Sequence, residues 1–403
     1  MLGLGVVWRV AASRWGTRNG VWAALLVACV YASSREVGLQ YWKWLRFVPA
    51  LALCVHSVRV FRQAAASERT ATVRFAGVLF AVALISAVFS AYPSDAVFEA
   101  VLLGLLWPAM ALCSTVVGEE EYERTETMLL HLAVAVLLAS VVIGLFNAPA
   151  SQLHGRFRGI FGNPNELSHW WLLMFVVAGI RTIRTGVNRY VVWSAGTLIL
   201  LIFTGTRGAL IGVLLSGIGF AMTWLRVRPV LGWVLLLGAS GVAVLKPEVL
   251  LEPAKRLLPA TLLREETIEM GGGRLVAWEF GWTEALKHPW VGHGGGYEER
   301  VYRAFEEELS LQNHQGFSHN SWLAFVINFG IPGGTLLIVW LLSRLRLFGS
   351  PLALIALPPI LASLAVEGWL TAPLSASSPL FFAVAGWAAA AVSPYTSRSD
   401  GRS

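Results

Sequence analysis

Apolar runs of roughly 20 residues, the length a helix needs to cross a bilayer, recur from one end of this chain to the other. Twelve candidate spans lie near 19–33, 45–61, 75–92, 97–117, 128–147, 166–181, 190–205, 208–225, 229–245, 319–343, 350–368 and 378–394. So many runs cannot share one soluble core. Only 14% of residues are charged, against roughly 25% in soluble domains. The 18 tryptophans suit membrane boundaries, where the ring is apolar and its N–H seeks water. The expected fold is an all-α polytopic membrane protein of about twelve transmembrane helices, with one long, partly helical outer loop.

The net charge of +7 is not a nucleic-acid signal, because in a membrane chain the placement of Lys and Arg matters more than their sum. With a cytoplasmic N-terminus, the inner segments hold 17 of the 31 Lys and Arg and the short outer segments hold 6. That bias supports the span layout and puts both termini in the cytoplasm. The remaining 8 fall in the long outer loop 246–318, and long loops translocate largely regardless of charge. Arg9, Arg14 and Arg18 before an apolar run resemble a signal peptide, but no small-residue cleavage site stands out, and the run reads as a first span. Cys29, Cys54 and Cys113 all lie in apolar runs and read as small buried hydrophobes.

On this layout the segment 149–166, the turn at Arg207 and the loop 246–318 share one face. The loop is too long for an idle connector. It contains two expected helices. One, near 274–287, carries Leu275, Trp278, Trp282 and Leu286 at helical spacing. The other, near 297–310, sets Val301, Phe305 and Leu309 against Glu298, Glu299, Glu306 and Glu307. Pro289 and the Gly292–Gly296 stretch break the chain between them. Gly294-Gly295-Gly296 reads as a hinge, because it lacks the preceding strand and following Lys-Ser/Thr of a phosphate loop. The end from Ser397 reads as a frayed tail.

Three residues stand out for chemistry. His319, in Ser318-His319-Asn320, sits where the loop re-enters the membrane. Neutral imidazole accepts a proton at ambient pH, as a general base must, although an interfacial histidine is often only packing. Arg207 lies between two apolar runs, and arginine at that depth marks a site, a buried pair or a snorkelling side chain. Arg274 follows three glycines and opens a helix, which favours an anion; a solvated loop arginine is the commoner alternative. Asn320 either orients a substrate or caps the helix after it. In Arg156-Phe157-Arg158-Gly159-Ile160-Phe161-Gly162-Asn163-Pro164-Asn165-Glu166, Asn163 and Asn165 frame a turn and a helix cap. Arg156 and Arg158 there suit a phosphate, a sugar or Glu166. No Cys cluster or His-x-x-x-His pattern indicates a metal, and no cofactor motif appears.

In this order, the Gly-Asn-Pro-Asn turn, Thr-Gly-Thr-Arg-Gly, the Gly-Arg…Trp loop helix, His-Pro-Trp-Val-Gly-His-Gly and the final His-Asn with Gly330-Ile331-Pro332-Gly333 resemble the O-antigen ligase and polymerase family of bacterial envelope glycosyltransferases. The resemblance spans roughly 150–340. It implies a GT-C-type membrane fold and transfer of a glycan from undecaprenyl pyrophosphate to an acceptor, such as lipid A-core or another glycan, at the outer face of the inner membrane. It implies no nucleotide sugar at that step, no metal ion and no cofactor. By motif, Arg207 and Arg274 take the place of pyrophosphate-binding arginines and His319 that of the base. Arg156, Arg158, Asn163, Asn165 and Asn320 are candidate substrate contacts. Thr206 departs from the commoner serine, and either hydroxyl can donate to phosphate. The chain then divides into an N-terminal bundle at 1–148, a family-like core at 149–345 and C-terminal helices with a tail at 346–403. Ligase reads slightly ahead of polymerase, with a protein-glycosylating transferase as a further option. A lipid-linked glycan transporter is the competing class, although no paired repeat or midplane polar cluster supports it.

Overall fold

The computed structural model describes residues 12–13, 16–34, 44–63, 66–114, 119–153, 155–185, 189–228, 231–232, 235, 274–305, 318–344, 352–375 and 377–398. Its helices are α1 (Thr17–Ser33), α2 (Phe47–Gln63), α3 (Ala66–Val88), α4 (Pro93–Cys113), α5 (Glu119–Phe146), α6 (Pro164–Thr185), α7 (Arg189–Thr204), α8 (Arg207–Trp224), α9 (Arg274–Lys287), α10 (Tyr297–Ala304), α11 (Ser321–Arg344), α12 (Ala353–Val366) and α13 (Ser377–Arg398). A short 3-10 turn covers Trp369–Thr371.

Each expected apolar run except 229–245 is matched by a helix; that run falls almost wholly outside the described residues. Among the described residues, four helical stretches are long and apolar enough to cross a membrane, namely Trp44–Arg62, Pro93–Cys113, Glu119–Phe146 and Ser321–Leu341. Further apolar helices, including Gly208–Trp224 and Ser377–Ala388, are shorter. The chain is an all-α helical membrane protein. One feature was not anticipated: a small antiparallel hairpin pairs β1 (Gln152–Leu153) with β2 (Arg156–Phe157), in the register Leu153 opposite Arg156. Gly155 turns it with φ 72°. Helix α13 runs through Ser397 to Arg398, so the expected tail begins as helix.

The chain falls into two compact units. The first comprises 1–77, 102–213 and 372–403. In it α6 packs along α7, and α13 packs on α1, α5 and α6. Tyr122 stacks on Trp387 at 5.2 Å between ring centres, and Trp22 donates its indole N–H to the Cys113 carbonyl at 3.0 Å. Charged residues pair at the helix ends. Arg18 meets Glu121 at 2.9 Å, Arg181 meets Glu126 at 3.0 Å and Arg184 meets Glu119 at 3.0 Å. Pairing is what makes buried charge tolerable.

The second unit comprises 78–101 and 214–371. Helices α9 and α10 pack on the first half of α11, through Ala277, Ala285, Val301, Tyr302, Leu323 and Ile327. Helix α8 approaches α12 closely enough that a Cβ on Gly219 would lie 1.8 Å from the Leu354 carbonyl oxygen. Ser216 donates to the Ile355 carbonyl beside it, at 2.8 Å.

Helix α11 is broken at Gly330, whose φ of 69° and ψ of −179° are not helical. Pro332 follows and cannot donate to the preceding turn. The break frees backbone groups, and the segment 289–294 takes them up. His293 N–H donates to Ile327 O at 3.0 Å, Gly294 N–H to Asn328 O at 2.8 Å, and Ile331 N–H to Pro289 O at 2.7 Å. Gly294, the first of the three glycines expected to form a hinge, therefore ends a strap bonded to the break. A Cβ on Gly294 would meet the Ser90 side chain at 2.6 Å, and one on Gly330 would meet Trp290 C and O at 2.7 Å. Gly330→Ala combines a disfavoured φ with that overlap, so it is expected to cost roughly 1–3 kcal/mol. Thermal unfolding in detergent, with Gly77→Ala in the same assay, checks this; a Cβ at Gly77 meets nothing within 4 Å.

Candidate functional site

Two polar constellations are described, one in each unit. In the first unit, α5 ends at Phe146 and the chain folds back through the hairpin into α6. Arg158 is 5% exposed. Its Nε donates to Ala150 O at 2.9 Å and its Nη1 to Gly162 O at 3.4 Å. Asn163 Oδ1 accepts the Asn165 N–H at 2.8 Å, the side-chain turn that starts α6. Arg158 and Asn163 thus build the connection from within.

Arg156 reaches across to the next turn. Its Nε donates to Thr204 O at 2.7 Å, and its Nη2 donates to Asn165 Oδ1 and Thr206 Oγ1, each at 2.7 Å. Thr206 Oγ1 also donates to Asn165 Oδ1 at 3.2 Å. Thr204 ends α7 with a carbonyl that no helical N–H reaches, and the guanidinium satisfies it. Gly205, at φ 59°, makes the turn. Arg207 is then the first residue of α8. It belongs to a helix N-terminus, where unpaired N–H groups and the helix dipole favour an anion.

The second unit holds Arg274, His319 and Asn320. Arg274 opens α9. His319 has φ 46°, a left-handed backbone in a non-glycine residue. Such conformations cost energy and persist only where surroundings impose them. The surroundings are visible. On one side, the buried carboxylate of Glu298 in α10 accepts the Ser318 N–H at 2.7 Å. On the other, Ser321 Oγ donates to Glu367 O at 2.7 Å, just past the end of α12. The Glu298 N–H in turn donates to Asn328 Oδ1 at 2.9 Å. Gly368 packs beside the turn, its Cβ position at an ordinary contact distance of 3.8 Å from Asn320 N. His319 Nδ1 lies 3.2 Å from Glu367 Oε2, with side-chain exposures of 15% and 7%.

Asn320 Oδ1 accepts the Leu323 N–H at 2.9 Å, which is the capping geometry of a helix start. Two acids escaped the sequence reading. Glu367 lay at the end of an apolar run, and an acid at membrane depth is itself a signal. Glu298 was assigned to a solvated helix face, yet it is 7% exposed, while Phe305, assigned to the apolar face, is 41% exposed. Helix α10 ends at Ala304, and 306–310 fall outside the described residues. Among the described residues, no group of three or more His, Cys, Asp or Glu is placed to hold a metal ion.

The fold is that of a helical membrane protein, and its second unit pairs a histidine with a carboxylate at the start of α11. Residues 191–338 match the family described as O-antigen ligase (Wzy_C), and the match supports the resemblance to the O-antigen ligase/polymerase family. The matched segment runs from α7 into α11 and leaves Arg156 and Asn165 before it. The match supports an O-antigen ligase-type function in general terms, and the family it names implies lipid-linked glycan and acceptor substrates in a membrane. No curated protein matches the chain.

Burial pushes the Glu298 carboxyl above its ordinary value of 4.5, with the Ser318 hydrogen bonds opposing the shift. A carboxyl raised in the folded state favours folding most at low pH, and that contribution is lost as pH rises from about 4.5 through the raised value. Glu298→Gln keeps an acceptor for Ser318 and removes the titration, so stability measured by thermal unfolding from pH 4 upward should fall less steeply than in the parent. Asn320→Ser keeps a capping oxygen and should retain stability, whereas Asn320→Ala should lose about 1 kcal/mol.

Proposed function

We propose that the chain transfers a glycan from undecaprenyl pyrophosphate to an acceptor hydroxyl at the outer face of the bacterial inner membrane, with lipid A-core as acceptor. The observation that carries this reading is His319 paired with Glu367 at the start of α11. A carboxylate at Nδ1 favours the tautomer with its proton there, which makes Nε2 the basic nitrogen. The acceptor oxygen attacks the anomeric carbon, its proton passes to His319, and the bond from that carbon to the pyrophosphate breaks. Glu367 then faces the imidazolium that forms. Attack opposite the leaving group inverts the anomeric centre.

The leaving group departs as lipid pyrophosphate, and Arg207 and Arg274 stabilise the charge that grows on it. Each opens a helix, so each adds backbone donors to a guanidinium. On this reading the two arginines take the part a divalent cation plays elsewhere, and the reaction proceeds without one. Arg156, Asn165 and Thr206 set the turn that presents Arg207, while Arg158, Asn163 and Asn320 shape the walls. The donor site belongs to the core 149–345, in a GT-C-like fold of about twelve spans with both termini cytoplasmic. Extension of a lipid-linked repeat unit uses the same donor chemistry, which makes polymerase the second reading.

The test is glycan transfer by purified protein from undecaprenyl-pyrophosphate oligosaccharide in the presence of EDTA, with lipid A-core present or withheld. Wild type should form the lipid A-core conjugate. His319→Ala should lose roughly 10²–10⁴-fold, the usual worth of a general base, and Glu367→Gln should lose part of that factor. A ladder of longer lipid-linked chains in place of the conjugate identifies a polymerase. Full activity in Arg274→Ala, or in His319→Ala, would sink the mechanism. Loss of lipid translocation in His319→Ala, with no covalent product from wild type, would favour the transporter class.

A further inference from the structure

Three large apolar side chains stand out of the second unit beside the strap. Trp282 is 41% exposed, Leu286 56% and Trp290 72%. Trp282 and Leu286 lie one turn apart on the same side of α9, and Trp290 follows in the turn after it. Ala277 and Ala285 of α9 are packed on α11. A cluster of this kind on a protein surface marks an interaction surface.

Its occupant follows from what it adjoins. Trp282 stacks on Trp322 at 5.8 Å, and Trp322 belongs to the first turn of the membrane-crossing stretch Ser321–Leu341. Trp290 is held at a defined level along two apolar helices. Its neighbour Pro289 accepts the Ile331 N–H at 2.7 Å, and its neighbour Val291 accepts the Ser86 hydroxyl near the end of α3. At that level the helices expose Ile331, Ile85 and Phe89 at 37%, 51% and 60%. The surface at Trp290 therefore continues into apolar surface of helices that sit in the membrane. Tryptophan is the residue enriched at the membrane–water boundary, and exposed Lys287 with His288 on the polar side completes an interfacial composition. A saccharide platform fits less well, because Trp282 turns its ring face to Trp322 and Leu286 offers no ring.

We infer that α9 and the turn after it run against lipid along α11, with Trp282 at the level of the helix start, where headgroups meet acyl chains, and Leu286 and Trp290 successively deeper toward Ile331. Helix α9 then does not stand free in water. It is anchored to lipid along one side, and Arg274 at the start of α9 is held close to the membrane surface. This inference rests on the chain being a membrane protein and not on the catalytic reading, since its test measures no activity.

The experiment places single cysteines at Leu286 and Trp290 in a Cys54→Ala background, with Glu299→Cys as an exposed control on α10. Each is labelled with an environment-sensitive fluorophore and the protein is reconstituted in phosphatidylcholine nanodiscs. A nitroxide carried high on the lipid acyl chain should quench positions 286 and 290 several-fold more than 299, and their emission should lie to the blue of the control. A water-soluble nitroxide should show the reverse order. Equal quenching of all three positions by the lipid nitroxide overturns the inference. Shielding that appears only with two copies per disc also overturns it and names a second copy as the occupant, while shielding that requires added soluble oligosaccharide does so in favour of a sugar platform. Both cysteine positions are exposed, so either one alone decides the outcome if the other variant fails to fold.

Discussion

The break in α11 at Gly330 is the constraint on which the second unit depends. A helix crossing a membrane satisfies its own backbone, and any interruption leaves donors and acceptors that lipid cannot satisfy. Here the interruption is matched by a segment from the preceding loop. The strap 289–294 supplies acceptor and donors to the opened turn, and its glycines allow the two backbones to approach. That pairing fixes α9 and α10 on the first half of α11. Through Asn328, Glu298 and Ser318 it also reaches the turn that carries His319. The loop is therefore part of the transmembrane helix's own hydrogen-bond economy.

A second theme is the use of charged side chains to complete backbone. Arg156 closes the end of α7 and Arg158 closes the connection after α5, each by donating to carbonyls. Glu298 accepts a main-chain N–H beside the histidine. Isolated buried charge is expensive, and charged donors or acceptors give the stronger hydrogen bonds. These residues recover that cost by holding turns in conformations they would otherwise leave. The left-handed backbone of His319 is the plainest beneficiary.

Much of this was legible in the chain, and the reasons differ by element. The helices could be read because membrane crossing demands long apolar runs, and Asn320 as a cap could be read because capping is a local rule. The helix starting at Arg274 followed from its aromatic spacing. Glu367 was not singled out: an acid closing an apolar run is a signal of its own, but its significance lies in a partner 48 positions away. Glu298 was placed with Glu299, Glu306 and Glu307 opposite an apolar face of Val301, Phe305 and Leu309; burial against Ser318 overrode that pattern. The glycine that ends the strap was read as part of a hinge since glycine signals backbone freedom equally well in a mobile joint and in a tight approach. Only the packing tells the two apart.

The link from Arg156 to Asn165 and Thr206 has a consequence for how this protein can be recombined. The turn before Arg207 lies inside the segment that matches the family, while the guanidinium that seals it comes from residue 156, ahead of that segment. An exchange of 191–338 with a relative would part the lock from its bolt, unless the residues at 156 and 165 travel with it. The set of side chains that holds the turn before Arg207 thus begins ahead of the matched segment, at Arg156 in the hairpin.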